Sequence, residues 1–192
     1  MKLNNKEMLN CIIAVLKNKN IEVHFIQSVK DDIEIGELKN GRITLNTDSR
    51  DDLSLVFTIA HLFGHYIQFR NYSKYKHLVE TVEQTVPLQL SENFKQDFFN
   101  YEKEAYGIGK SLMNDSFPVT EDIDQKYQSF MITDFEHFWH YITTGHRAGL
   151  KEFNKLLNIN YANHPKFENP INPILVPDYS KEETITARVT IF

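Results

Sequence analysis

At 192 residues, with 41% hydrophobic and 24% charged residues, the chain has the balance of one globular domain with a substantial core. Its net charge of −5, with acidic and basic residues interspersed, supplies no basic field for nucleic acid or an anionic membrane surface. The single cysteine, Cys11, excludes an internal disulfide and reads as a buried thiol. Its apolar run CIIAVL is far too short to cross a bilayer. MKLNNKEML lacks the apolar core and cleavage site of a signal peptide, so a cytoplasmic location is the expectation.

From the N-terminus, Met8, Ile12, Val15 and Leu16 fall at helical spacing and predict an amphipathic helix over Asn5–Lys17. IEVHFI alternates, predicting a strand with Ile21, Val23 and Phe25 on one side and a surface His24 on the other. In IEIGELKNGRITLN, Asn40-Gly41 stands between two alternating runs and favours the positive φ angles of a tight hairpin turn. Asp48, Ser49 and Asp52 then offer an N-cap for a long helix through Phe69. A further helix is expected over Lys74–Gln84.

Ser91 can cap the next, SENFKQDFFNYEKEAYGIGKSLM, with Phe98, Tyr101, Ala105, Ile108 and Leu112 on one face. Beyond Pro118 two or three more helices are expected, one of them DFEHFWHYIT, stopped by Gly145. From Tyr161 onward lie four of the six prolines, which predicts an extended tail. Ile171, Ile174, Leu175, Val176 and Tyr179 make that tail too apolar to hang free. Its last run, Thr184–Phe192, alternates and predicts a strand that pairs with the edge of the N-terminal sheet or with a neighbouring chain. The domain reading is residues 1–160 as the body and 161–192 as an extended C-terminal tail packed on it.

The chemistry concentrates in FTIAHLFGHYIQF. His61 and His65 lie four residues apart, on one face of a helix whose neighbours Phe57, Ala60, Ile67 and Phe69 are apolar. With 8 histidines in the chain, chance alone supplies about 0.3 such pairs, so the spacing is weak by itself. Burial strengthens it, because two unpartnered imidazoles in a core are costly. Zinc peptidases with this spacing read H-E-x-x-H, and the glutamate activates water. Leu62 stands at that position.

The order of segments, a hairpin ending in GRITLN, then FTIAHLFGH, then YEKEAYGIGKSLMN, resembles the ImmA/IrrE family of zincin-like peptidases. Members typically read F-T-x-A-H-E-x-G-H and later E-x-E-A-N-x-F-A-x-x-L-L-M. Phe57, Thr58, Ala60, His61, Gly64 and His65 match the first motif; Glu102, Glu104, Ala105, Leu112 and Met113 match the second. The resemblance spans Ile21 to Asn114, a little over half the chain. It implies an α+β, zincin-like fold, a small antiparallel sheet packed on several helices. It also implies zinc held by His61, His65 and Glu102; two histidines and one carboxylate equally suit Fe(II), so the cofactor expected is one divalent metal, Zn or Fe(II). Glu104, about 200° further round its helix than Glu102, is the alternative third ligand.

The departures redirect the functional expectation. Leu62 cannot take a proton, and loss of a positioned base typically costs ~10²- to 10⁴-fold in rate. Tyr106 stands where the family has a small polar residue that orients a ligand histidine. Three readings follow, each with a small-molecule or peptide partner. One is a metalloenzyme with altered chemistry, either an oxygenase-type facial triad or a hydrolase with a substitute base. Another is an inactive pseudo-peptidase acting as a binding or regulatory module. The unaltered ImmA/IrrE-type peptidase is the third. DFEHFWHYITTGHR adds Glu136, His137, His140 and His146, a cluster that reads as an acid-oriented imidazole, a second metal site or an aromatic core helix. His140 and Tyr106 are the candidate catalytic residues.

Overall fold

A computed structural model of the chain describes residues 3–27, 36–39, 42–47, 51–70, 72–82, 86–146, 171–175 and 189–191. Helix α1 (Asn5–Asn18) starts at a capping box in which Asn4 and Glu7 satisfy each other's backbone N–H groups. It buries Met8, Leu9, Ile12 and Leu16. Strands β1 (Glu22–Ile26), β2 (Gly36–Lys39), β3 (Arg42–Asn46) and β4 (Val189–Ile191) form one sheet in the order β1-β3-β2-β4.

The expected hairpin is present. Lys39 pairs with Arg42 across a two-residue connection, although Asn40 and Gly41 themselves lie outside the described residues. The expected antiparallel sheet is corrected to a mixed one, because β3 runs parallel to β1, with Val23 opposite Ile43. Strand β3, not β2, takes the position beside β1, so the hairpin's return strand runs in the direction of β1. A second correction concerns β1 itself. Among the described residues it is an edge strand, preceded by the buried Ile21, in which Val23 is half-buried whereas Phe25 is 45% exposed.

Helix α2 (Asp52–Phe69) is capped by Asp51, whose carboxylate accepts from the Ser54 N–H, rather than by any of the residues proposed from sequence. From Leu55 to Phe69 every residue but Tyr66 is buried, so α2 is the central helix of the molecule. Helix α3 (Tyr72–Val82) follows, and then α4 (Glu92–Ser116), capped by Ser91 as its sequence indicates. Beyond Pro118 the described residues hold a single long helix, α5 (Glu121–Thr144). Gly145 ends it at φ 74°, a left-handed conformation that glycine adopts without strain.

Small residues set the distance between α2 and α4. A Cβ on Gly109 would lie 2.4 Å from the carbonyl oxygen of Ala60, so only glycine fits there. Ala60 and Gly64 on α2 therefore face Ala105 and Gly109 on α4 with the two backbones in contact. Helix α5 closes the core from the other side, with Phe57 against Tyr127 and Phe130, and Phe98 against Phe135.

The tail meets the body at α4. The Ile174 N–H donates to the Gly107 carbonyl at 3.0 Å, Lys110 Nζ to the Ile171 carbonyl at 2.6 Å, and Ser111 Oγ to the Ile174 carbonyl at 2.7 Å. Ile171 is buried and Ile174 half-buried as expected, but Leu175 is 90% exposed; Val176 and Tyr179 lie outside the described residues. The terminal strand pairs antiparallel with β2, Leu38 opposite Val189, at the edge of the N-terminal sheet. The expected boundary near residue 160 also lies outside the described residues.

Candidate metal centre

The close crossing of α2 and α4 creates the site. His61 and His65 each follow one of the small residues of α2, and Glu102 lies one turn before the Ala105–Tyr106 contact on α4. The three side chains consequently meet in the dry seam between the helices, at 2%, 2% and 8% exposure. Glu102 Oε2 is 2.9 Å from His61 Nε2 and 3.3 Å from His65 Nε2. One ligand atom from each residue falls within 4.8 Å of the other two, a buried group that could hold one metal ion. A tetrahedral cation with bonds of 2.0–2.1 Å spaces its ligand atoms about 3.3 Å apart, close to both Glu102 contacts.

The orientation of each ring supports the same use. His65 Nδ1 lies 2.9 Å from Gln68 Oε1 and 3.0 Å from the Tyr101 hydroxyl. Gln68 Nε2 donates to the Tyr101 carbonyl at 2.8 Å, which fixes the amide with its oxygen toward His65. Nδ1 must then be the donor, leaving the Nε2 lone pair directed at Glu102. On the other ring, His61 Nδ1 lies 3.2 Å from Asp134 Oδ2 of α5. That approach is not aligned as a hydrogen bond, so Nδ1 stays buried without one. Tyr106 stacks on the His61 ring at 3.8 Å and 18° and donates its hydroxyl to Asp134 Oδ2 at 2.6 Å.

Electrostatics follows from this packing. Burial alone lowers the His61 pKa, but Asp134 and Glu102 outweigh it and raise it to about 9. For Glu102 burial raises the pKa, and the histidines at 65 and 61 pull it down to about 2. These opposite shifts favour an imidazolium–carboxylate pair at neutral pH, so a cation would have to displace the His61 proton. Burial, and then the Asp134 charge, push the Tyr106 hydroxyl well above the usual tyrosine range, so it acts as a neutral donor.

Of the sequence-derived candidates, His61, His65, Glu102 and Tyr106 are brought together. Glu104 is not: it binds Lys74 at 3.1 Å and the Tyr75 hydroxyl, tying α3 to α4, and touches Gln68 at 3.4 Å. His140 is exposed, six residues and about 240° round α5 from Asp134, and nothing carries it to the triad. Among the described residues His137 and His140 do not form a second metal group; His137 is buried and His146 exposed. Leu62 is 0% exposed, packed in the core. Two participants went unread in the sequence, Asp134 and Gln68. Each had a signal, as a polar residue inside an apolar helical run, FMITDF and YIQF. Neither a protein-family model, nor a curated protein, nor a solved structure matches this chain.

Proposed function

We propose that this chain is a divergent metalloenzyme on an ImmA/IrrE-like, zincin-type scaffold, holding one divalent cation, Zn²⁺ or Fe²⁺, through His61, His65 and Glu102. The observation that carries the reading is the shared carboxylate: Nε2 of both histidines lies against the same Glu102 oxygen, in a buried seam. Structural zinc sites enclose the ion with four protein ligands, whereas reactive sites keep three and leave a position open. Three donors converge here among the described residues. When bound, the cation would supply Lewis acidity or, as iron, open positions for dioxygen and a small-molecule or peptide substrate. The chain's own residues hold His65 in the tautomer a cation needs, keep Glu102 ionised and bury the donor set.

Ordinary peptide hydrolysis is not part of this proposal. Its base would stand at Leu62, and Asp134 and Tyr106 lie behind the His61 ring, on its Nδ1 side. The complete burial of Leu62 favours a second reading, a pseudo-peptidase that keeps its metal to bind or regulate.

Elemental analysis of protein purified without a histidine tag, repeated on His65→Ala, tests the proposal. About one equivalent of zinc or iron that disappears in the variant is expected; an empty wild-type protein would sink it. Oxygen uptake after Fe(II) reconstitution, or hydrolysis across a substrate panel, separates the metalloenzyme from the pseudo-peptidase. Loaded protein without turnover in either assay selects the latter.

A further inference from the structure

We infer that Asp134 is the positioning residue of this centre, reaching across from α5 to hold the His61 ring, with Tyr106 holding Asp134 in turn. The inference rests on the metal-binding reading above. A ligand histidine whose Nε2 faces a cation must keep its proton on Nδ1 and needs an acceptor there. His61 Nδ1 is buried without an aligned hydrogen bond, and the carboxylate 3.2 Å away is the acceptor within reach. A rotation of the ring that brought Nδ1–H into line with Oδ2 would satisfy both groups.

Asp134 is itself held for this task. The Tyr106 hydroxyl donates to the same Oδ2 at 2.6 Å, and the Tyr106 ring lies flat against His61 at 3.8 Å. Tyr106 is anchored in turn by the Tyr127 hydroxyl, which donates to its carbonyl at 3.2 Å. Imidazole, phenol and carboxylate therefore form one rigid unit built from three helices.

The two ligand histidines differ in what stands behind them. His65 is backed by the neutral Gln68 and Tyr101, and His61 by a carboxylate. An anionic acceptor raises the basicity of the imidazole it holds, which makes His61 the stronger donor of the pair. Asp134 does not act as a base toward a bound substrate, because the His61 ring stands between it and Nε2. Its effect must pass through that ring.

The test compares Asp134→Ala, Asp134→Asn and Tyr106→Phe with Thr133→Ala, a control at a buried neighbour on the same helix. Zinc affinity is read by competition with a chromophoric chelator, site geometry by the visible spectrum of the cobalt(II) form. The His61 Nδ1–H resonance is followed in metal-free, nitrogen-15-labelled protein. Asp134→Ala should weaken zinc binding by about 10- to 100-fold, alter the cobalt spectrum and shift the Nδ1–H resonance, because the carboxylate 3.2 Å from that nitrogen is gone. Asp134→Asn keeps an acceptor oxygen and the side-chain shape, so it should lose less and stay folded; Tyr106→Phe should fall between. Thr133→Ala should match wild type.

Wild-type zinc affinity in both Asp134 variants would overturn the inference. So would an equal loss in Thr133→Ala, which would reduce the effect to helix packing. Should wild-type protein bind no metal, the metal reading fails. The resonance then still decides: a signal that shifts in Asp134→Ala and less in Asp134→Asn upholds the positioning role, and an unchanged signal ends it.

Discussion

A Cβ placed on Gly64 would lie 2.0 Å from the carbonyl oxygen of Ala105. Nothing at that contact can swing aside, because the obstructing atoms are backbone. Gly64→Ala must separate α2 from α4, and Glu102, one turn from the contact, would be drawn away from both histidines. The expected result is a loss of about 3 kcal/mol or more, at or above the upper range for overpacking, together with loss of metal binding. Chemical denaturation of the metal-free variant measures the first and chelator competition the second. A variant of wild-type stability would show that the helices can part without cost.

Leu62 invites a direct replacement. From sequence alone, Leu62→Glu restores the residue pattern of a zinc peptidase. The fold reverses that expectation, because Leu62 is completely buried in the core. A glutamate there would lose its hydration without a built partner, costing roughly 3 kcal/mol or more or forcing the carboxyl to stay protonated. Lower stability and no hydrolysis above wild type are expected in a casein-type assay. Measurable hydrolysis would mean that the position opens to water.

How much of this was legible in the residues follows from distance along the chain. His61 and His65 share one helix turn, so local periodicity suffices to pair them. Glu102 lies on another helix, and it was singled out because a second motif carried the resemblance; helical geometry then separated it from Glu104. Asp134 belongs to a third helix, and its partnership with His61 depends on how α5 packs, which no local pattern encodes. The sheet repeats the lesson. Asn40-Gly41 announces a hairpin, yet nothing within those residues says which of its strands lies beside β1, and the parallel pairing was missed. His140 shows the opposite failure: its sequence neighbours look chemical, but its own side chain is exposed, away from the buried triad.

Proton linkage gives the metal-free protein a distinct pH profile. The His61 pKa is raised from 6.5 to about 9, so its stabilising contribution is complete below 6.5 and is lost as pH rises through about 9. Glu102 is lowered from 4.5 to about 2, so its contribution is complete above 4.5 and is lost as pH falls through about 2. Stability of the metal-free form should therefore plateau between these limits and decline on the alkaline side. His61→Asn should flatten that alkaline decline. Metal must displace the His61 proton, so zinc affinity should rise with pH toward about 9 and release about one proton near neutrality. Calorimetry in buffers of different ionisation enthalpy reads that proton; no release would contradict a protonated His61.

The tail offers the last test, because its two described pieces do different work. Ile171 and Ile174 sit on α4 through three hydrogen bonds, and a Cβ on Gly107 would come within 2.7 Å of the Ile174 side chain. Strand β4 instead completes the sheet, pairing Gly36, Glu37 and Leu38 of β2 with Ile191, Thr190 and Val189. Ending the chain after Pro177 removes β4 and keeps the α4 anchor. The shortened protein should remain folded with its metal site intact, because the triad's side chains come from α2 and α4. Its exposed β2 edge, however, would present unpaired backbone groups to a second copy. Sedimentation should show self-association that grows with concentration and is absent from the full chain. An unfolded product would make β4 part of the core, and a well-behaved monomer would mean that β2 needs no cover. Ile171→Ala, which removes a buried side chain from the anchor, should cost ~2–5 kcal/mol. That loss should exceed the effect of the truncation, placing the tail's stabilising contact on α4 and its protective one at the sheet edge.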